Sequence, residues 1–335
     1  MRLVVVGGVA GGMSAAARAR RLDETAEIIV LDRGEHVSFA NCGLPYFVGG
    51  EIENERSPLV QTPASLKAAL DLDVRVRHDV TALDTAARTL TVQTETGTEQ
   101  LSYDALILSP GALAVRPPLP GLDSPRVHTL RTVEDATTLR TVVTAGARRA
   151  VVLGGGFIGI EAAEALRAQG LETSVVELSA HVLPPFETEL AHLITEELTG
   201  LGITVHDGIG AASVESGADH DTVILTDGTR IEADLIVLSV GVRPDTAVFG
   251  EAGIELERGA IVVDEHGRTS APQVWAVGDA VISTDAVSGI RRPFALAGPA
   301  NRAGRLVADD IFKPALARPI PNPLGTGIVR VGELT

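Results

Sequence analysis

Twice in this chain a short apolar run leads into a glycine-rich turn, an alanine-rich stretch, a second apolar run and then a carboxylate. The first copy is Leu3-Val4-Val5-Val6, Gly7-Gly8-Val9-Ala10-Gly11-Gly12, residues 13–22, residues 27–31 and Asp32. The second is residues 150–153, Gly154-Gly155-Gly156-Phe157-Ile158-Gly159, a helix to about Ala168, Ser174-Val175-Val176 and Glu177. Short apolar runs bounded by glycine and separated by a helix suit strands buried on both faces of a parallel sheet. The echo continues, since Asp104-Ala105-Leu106-Ile107-Leu108-Ser109-Pro110-Gly111 is matched by Asp234-Leu235-Ile236-Val237-Leu238-Ser239-Val240-Gly241. Each copy predicts a Rossmann-like βαβ unit, a β-rich insertion and a return strand. The insertions fall at residues 74–100 and 204–231, the latter with an Asp227-Gly228 turn. The expected fold is α/β with two such domains.

The glycine spacing carries chemistry. In a dinucleotide site the first glycine makes the tight turn and the second lets the backbone approach a pyrophosphate. The third lets the helix pack on the strand, with the helix N-terminus facing the phosphates. Gly154, Gly156 and Gly159 meet all three demands, whereas the first turn has Val9 in place of the second glycine and loses some clearance. Asp32 and Glu177 stand where a carboxylate accepts hydrogen bonds from a ribose. A carboxylate at Glu177 also repels a 2′-phosphate, and Leu178-Ser179-Ala180 offers no Arg or Lys to hold one, so NADH is expected over NADPH. Two sites mean two dinucleotides, one of them a flavin. For the flavin, Val277-Gly278-Asp279 ends an apolar run with a carboxylate suited to polyol hydroxyls. An amphipathic helix at about residues 299–311 turns its positive end toward charge that accumulates on reduction. Alone, Asp279 reads as a helix N-cap, a role compatible with that contact. Residues 261–264 and 274–279 are expected to form a strand pair.

With 28 Lys and Arg against 44 Asp and Glu, the net charge is −16 and no basic run offsets it, which argues against nucleic acid as a partner. No apolar run approaches the ~20 residues of a membrane span, and Met1-Arg2-Leu3-Val4 enters a strand without a secretory leader. A single cysteine, Cys42, rules out an internal disulfide and suits a reducing compartment, so a soluble cytoplasmic protein is expected. The 8 histidines show no ligand spacing, and no metal site is assigned. Gly-x-Ser-x-Gly and Gly-Lys-Ser/Thr motifs are absent, which removes hydrolase and nucleotide triphosphatase readings.

A lone cysteine is usually a small buried hydrophobe. Here it stands in Ser38-Phe39-Ala40-Asn41-Cys42-Gly43-Leu44-Pro45-Tyr46, where Asn41 is expected to cap a short helix closed by Gly49-Gly50, with Cys42 in the first turn. The helix dipole would there favour the reactive thiolate. With no second cysteine, Cys42 has two routes, a mixed disulfide with an outside thiol or a sulfenic acid.

These segments, together with Gly7–Ala15, Gly154–Glu161, residues 276–280 and Leu296-Ala297-Gly298-Pro299-Ala300-Asn301-Arg302, resemble the single-cysteine branch of the flavin-dependent pyridine nucleotide-disulfide oxidoreductases. Within it they are most similar to the coenzyme A disulfide reductases, and the likeness covers essentially the whole chain. The resemblance implies an FAD domain (residues 1–113 and 242–318) split around an NAD(H) domain (114–241). The start of a C-terminal dimerisation domain follows at 319–335. About 100 residues of that domain, on the order of one small domain, would follow Leu324 and supply the homodimer interface.

By motif match, FAD contacts fall on Gly7, Val9, Ala10, Gly11, Gly12, Asp32, Arg33, Asn41, Val80, Ser109, Pro110, Gly111, Gly278, Asp279 and Ala297. NAD contacts fall on Gly154, Gly156, Phe157, Ile158, Gly159, Glu161, Glu177 and Gly241, with Glu161 near the nicotinamide and Glu164 structural. Coenzyme A contacts fall on Ser14, Arg18, Arg21, Ser38, Asn41 and Asn301, the two arginines being placed to meet the anionic ADP part. A lysine of the family before Val74 is replaced by Leu70, with Lys67 nearby, and neither Tyr46 nor Tyr103 takes the place of the tyrosines of the missing domain. Residues 327–331 look like a strand starting.

The expected activity is NADH-driven reduction of coenzyme A disulfide through FAD and Cys42. The same motifs allow an NADH oxidase or peroxidase with a Cys42 sulfenic acid, a persulfide reductase, or a flavin electron-transfer partner. Replacing Glu177 with Arg should raise NADPH use relative to NADH, read as the ratio of the two kcat/KM values. An unchanged ratio would remove Glu177 from the ribose site.

Overall fold

The computed structural model describes residues 1–54 and 57–334. It forms two compact units, each built from three separate pieces of chain. The first comprises Met1–Phe39, Leu59–Leu113 and Arg243–Thr326; the second comprises Ala40–Pro58, Ala114–Val242 and the residues from Gly327 on. The strands of the two main sheets are β1 (Arg2–Val6), β2 (Glu27–Leu31), β3 (Asp73–Arg75), β4 (Ala105–Leu108), β5 (Val127–His128), β6 (Arg149–Leu153), β7 (Glu172–Val176), β8 (Ile203–His206), β9 (Leu235–Leu238) and β10 (Val274–Ala276). The helices used below are α1 (Ala10–Leu22), α2 (Leu44–Val48), α3 (Val133–Thr144), α4 (Phe157–Ala168), α5 (Thr188–Gly200) and α6 (Ala297–Phe312).

In the first unit five strands lie in the order β10-β4-β1-β2-β3, every neighbouring pair parallel. Alternate residues of the apolar runs feed two cores. Leu3, Val5, Ile28, Val30 and Ile107 face Met13, Ala15, Ala16 and Ala19 of α1 and Ala303, Val307 and Ala308 of α6. Val4, Val6, Ile29, Leu31, Leu106 and Leu108 face Val80, Leu90, Val92 and Leu101 of a three-stranded antiparallel sheet built from Asp79–Asp84, Thr89–Thr94 and Gly97–Ser102, and Tyr103 just beyond it. Burial on both faces accounts for unbroken apolar strands instead of polar alternation. The α1 and α6 backbones approach closely, since a Cβ on Gly304 would lie 2.1 Å from the Gly11 carbonyl oxygen.

The second unit repeats the plan with the parallel order β8-β7-β6-β9-β5. Its antiparallel insertion is Ala211–Ser216, Asp221–Leu225 and Arg230–Ala233, whose Val214, Val223 and Leu225 pack on Val151, Leu153, Ile236 and Leu238. Atomic details repeat as well. Asp104 N–H donates to the Arg2 carbonyl at 2.9 Å, and Asp234 N–H to that of Arg149 at 2.9 Å. Each carboxylate in turn accepts the backbone N–H of its partner, at 2.6 Å for Arg2 and 3.0 Å for Arg149. No helix among the described residues is long and apolar enough to cross a membrane.

Three sequence expectations differ locally. Residues 261–264 and 274–279 do not pair with each other. Instead β10 joins the main sheet beside β4, and Ala260–Ile261 pairs with Leu256–Glu257, because the apolar edge of β4 offers Val274–Ala276 a parallel ladder. Asp279 lies inside a 3₁₀ turn, Gly278–Ala280, that the positive φ of Gly278 (84°) tightens, and the N-cap of α6 is Leu296. Residues 327–330 join no strand ladder among the described residues, the only pairing nearby being the bridge between Val331 and Leu334.

The turn glycines can be separated by experiment. A Cβ on Gly159 would sit 1.9 Å from the Gly154 carbonyl oxygen, whereas one on Gly156 meets nothing within 4 Å among the described residues. Urea unfolding of the ligand-free protein should show Gly159→Ala losing about 1–3 kcal/mol, the usual result of overpacking. Gly156→Ala should lose less than about 1 kcal/mol. Equal losses would show that close approach does not fix this turn.

Candidate functional site

In the first unit the candidate residues collect at the C-terminal ends of β1, β4 and β10, the edge where open parallel sheets bind ligands. Gly7 turns with φ 99°, and a Cβ there would lie 1.9 Å from the Ser109 carbonyl oxygen; one on Gly12 would lie 1.9 Å from the Gly7 oxygen. Val9 is the N-cap of α1 and gives it no side-chain cap, so the first-turn N–H groups of Ala10, Gly11 and Gly12 keep the anion-binding capacity of an uncapped helix start. Asp32 closes the turn, its Oδ2 accepting Gly8 N–H at 2.7 Å and its Oδ1 Gly34 N–H at 2.8 Å. Around the same point stand Ser109, whose Oγ would be 3.0 Å from a Cβ on Gly11, and Gly278, whose added Cβ would be 3.5 Å from that Oγ. Pro110 and Gly111 (φ 74°) continue from Ser109, Asp279 follows Gly278, and Ala297 opens α6. Arg33 is held by Asp245 and, at 3.6 Å, by Asp79. Val80 is buried in the antiparallel insertion.

The proposed coenzyme A residues of this unit lie mostly along the α1/α6 pair. Ser14 Oγ donates to Asn301 Oδ1 at 2.9 Å and Arg18 Nε to Asp309 Oδ1 at 2.7 Å, while Arg21 is exposed one turn further on. These bonds hold α1 against α6 and give Ser14, Arg18 and Asn301 a structural task of their own. Ser38 adopts a positive φ of 50°, and its N–H donates to the Gly8 carbonyl at 2.8 Å. Lys67 pairs with Asp71, the C-cap of the helix Pro63–Leu70.

The second unit repeats the turn with more room. Gly154 has φ 103°, and the space a Cβ on Gly156 would enter is open, the clearance that a close-approaching pyrophosphate needs. Gly156 is the N-cap of α4 and supplies no side-chain cap, whereas α3 carries a reciprocal Thr132/Asp135 capping box. Glu177 is buried, its Oε2 accepting Gly155 N–H at 2.7 Å and its Oε1 Ser179 N–H at 2.7 Å. Ser239 Oγ donates to the Leu153 and Gly154 carbonyls at 3.0 Å each and ties β9 to the turn, with Gly241 (φ 105°) just beyond. Phe157 meets Phe186 edge-on, ring centres 5.8 Å apart, and Ile158 is exposed. The residues of both turns fit a dinucleotide.

Glu161 and Glu164 lie one turn apart on α4. Burial, then the Glu164 carboxylate, push the Glu161 carboxyl up to about 7, with Arg330 opposing. Burial first, and Glu161 next, also raise the Tyr46 phenol.

Cys42 is exposed and belongs to the second unit. Asn41 does not cap a helix: it opens a 3₁₀ turn, Asn41–Gly43, whose N-cap is Ala40, and its amide donates to the Arg131 carbonyl at 3.2 Å. Cys42 therefore precedes α2 by a turn. Pro45 in the first turn of α2 has no N–H to offer, so the preceding turn closes on the Gly43-to-Ala40 bond of 2.9 Å. Gly49 and Gly50 do close α2, and a Cβ on Gly49 would be 3.1 Å from Ala165 Cα of α4. Further ties are Gln169 Nε2 to the Gly49 carbonyl at 2.6 Å and Arg140 Nη1 of α3 to the carbonyls of Phe47 and Ile52, at 2.5 and 2.8 Å.

Sequence reasoning missed Arg140, Glu51 and Arg330. Arg330 Cζ stands 4.8 Å from the Tyr46 ring centre while its guanidinium pairs with Glu51. Nothing in the spacing links positions so distant; the one signal was a cation inside the apolar run Ile328-Val329-Arg330-Val331. No group of acidic, histidine or cysteine side chains suited to a metal ion occurs among the described residues.

Residues 1–304 match the family described as pyridine nucleotide-disulphide oxidoreductase. A coenzyme A disulfide reductase of Staphylococcus haemolyticus is 32% identical, aligned over 100% of this chain and 75% of its own length. The structure of reduced Bacillus anthracis CoADR-RHD superposes with a TM-score of 0.95 at 39% identity, covering 99% of this chain and 60% of that one. A NAD-dependent persulfide reductase from A. fulgidus gives a TM-score of 0.95 at 32% identity, with 99% and 62% covered. This chain thus spans about three fifths of the length of those two structures. Two dinucleotide turns of one design, a lone exposed cysteine and a family match over most of the sequence agree: the chain belongs to the pyridine nucleotide-disulphide oxidoreductase family.

Proposed function

We propose that this chain is a flavoprotein disulfide reductase that uses NADH to reduce coenzyme A disulfide at Cys42. The observation that carries the reading is the exposed, solitary Cys42 on a segment fastened to α3 and α4, in a chain with two dinucleotide turns. A solitary thiol stores oxidising equivalents only in a bond to something outside the chain. The Cys42 thiolate attacks one sulfur of the disulfide, a sulfur–sulfur bond to coenzyme A forms, and the other coenzyme A leaves as thiolate. Reduction of that mixed disulfide by two electrons releases the second coenzyme A and restores Cys42. The balance is NADH, a proton and one coenzyme A disulfide giving NAD⁺ and two coenzyme A thiols. FAD, when bound, supplies the relay from nicotinamide to sulfur.

In this reading the turn from Gly7 to Gly12 and the start of α1 hold the FAD pyrophosphate, and Asp32 its ribose. Gly154 to Gly159 and Glu177 do the same for NADH. Ser14, Arg18, Arg21, Ser38, Asn41 and Asn301 hold coenzyme A, and a homodimer is the expected assembly. The similarity to a persulfide reductase favours a second reading in which Cys42 carries a persulfide sulfur.

The two are separated by treating FAD-loaded protein anaerobically with coenzyme A disulfide and reading the intact mass before and after NADH. One coenzyme A adduct on Cys42, removed by NADH, is the expected outcome. No adduct on an accessible thiol whose flavin is still bleached by NADH would overturn the coenzyme A reading. Cys42→Ser should abolish adduct and disulfide turnover while leaving flavin bleaching by NADH in place.

A further inference from the structure

The last described residues run along the helix that the proposed function assigns to NADH. A Cβ on Gly327 would lie 3.2 Å from the Phe157 ring, at the start of α4. Val329 and Val331 are buried while Ile328 is exposed, so the segment turns alternate side chains inward although it makes no strand ladder. Further on, Gly332 N–H donates to Glu164 Oε1 at 3.1 Å and Glu333 N–H to Glu197 Oε1 of α5 at 3.1 Å. Between these anchors stands Arg330. Its guanidinium pairs with Glu51 and covers the Tyr46 ring, and its Nε is buried without a hydrogen-bond partner among the described residues.

We propose that Arg330 is a positioning residue for the nicotinamide step, acting through Glu161: it supplies a cation that offsets the adjoining carboxylates Glu161 and Glu164 and links them to the segment that carries Cys42. The charges that reach Glu161 are Glu164 on its own helix and Arg330 of the terminal segment; Tyr46 of α2 is coupled to Glu161, and Glu51, just after α2, pairs with Arg330. Three of these four carry or acquire negative charge, so an arginine here has a large share in deciding whether Glu161 is neutral or ionised. The free Nε adds a donor that a carboxylate can use and a neutral acid uses less well. Loss of hydride turns a neutral dihydronicotinamide into a cation, so an ionised Glu161 favours that step and a protonated one does not. The inference rests on the reading of the α4 turn as the NADH site.

The sign follows from Glu161 being an acid raised to about 7. Below that pH it is protonated and hydride loss is unassisted; above it the carboxylate is present. Removing the Arg330 cation moves the changeover upward, and removing the competing Glu51 carboxylate moves it downward. The test follows the Glu161 carboxyl by ¹³C NMR of protein labelled at glutamate Cδ, FAD-loaded and without NADH, with Glu161→Gln to assign the resonance. Arg330→Met should raise the midpoint by roughly 0.5–1 on the pH scale, Glu51→Gln should lower it, and Arg330→Lys should stay near wild type.

The pH profile of anaerobic flavin bleaching by NADH should move in the same directions. A midpoint unmoved in both Arg330→Met and Glu51→Gln, or a bleaching profile that ignores a moved midpoint, would overturn the proposal. Should Arg330→Met fail to fold, Glu51→Gln still decides, because it leaves Arg330 in place and predicts the opposite sign. A wild-type flavin that NADH does not bleach would sink the NADH-site reading instead, while the NMR midpoints still report on the coupling of Arg330 to Glu161.

Discussion

The structure depends on one close approach made twice: a strand end, a glycine turn and a helix start pressed so near that only glycine fits. At Gly12 and Gly159 the helix comes within 1.9 Å, measured from a would-be Cβ, of the carbonyl of the first turn glycine, Gly7 or Gly154, which takes a positive φ. Asp32 and Glu177 lock the geometry by accepting the next N–H of each turn at 2.7 Å. Helix direction, parallel pairing and exposure of the uncapped helix start all follow. The strand-end carboxylate therefore braces the turn itself, so a substitution at Glu177 acts on the fold whatever it does to a ligand.

The two copies differ in detail. Open space stands over Gly156, whereas Val9 occupies the matching place in the first turn. The first unit adds α6, held to α1 by Ser14–Asn301, Arg18–Asp309 and the Gly11–Gly304 contact. The second unit adds the Cys42 segment, fastened by Arg140, Gln169 and the close packing of Gly49 on Ala165. The thiol thus sits on the structural unit that carries the Glu177 turn, with α3 and α4 as its floor.

Patterns with short-range causes were readable in advance. The unbroken apolar strands, both glycine turns, the acidic strand ends and the antiparallel insertions needed only residue type and spacing. Local details failed where a neighbour outbid the local preference. Val274–Ala276 joined β4 rather than residues 261–264 because β4 offered a buried parallel edge. Asn41 turned away from capping because Pro45 shifted the helix start and the Arg131 carbonyl offered its amide another partner. Residues 327–330, which read as the start of a strand, lie along α4 and join no strand ladder among the described residues.

By itself the sequence determined the two βαβ units, the two carboxylates that end them and the single thiol. These depend on periodicities, glycine conformations and counts that are local properties of the chain. Tertiary structure alone decided which unit holds Cys42, that Arg330 meets Tyr46 and Glu51, and that Glu161 titrates near neutrality. The reason is electrostatic and steric. Glu164 is a helical neighbour of Glu161, but the burial, the opposing Arg330 charge and the close approaches come from residues far apart in the chain, and no spacing rule encodes a distance that only folding creates.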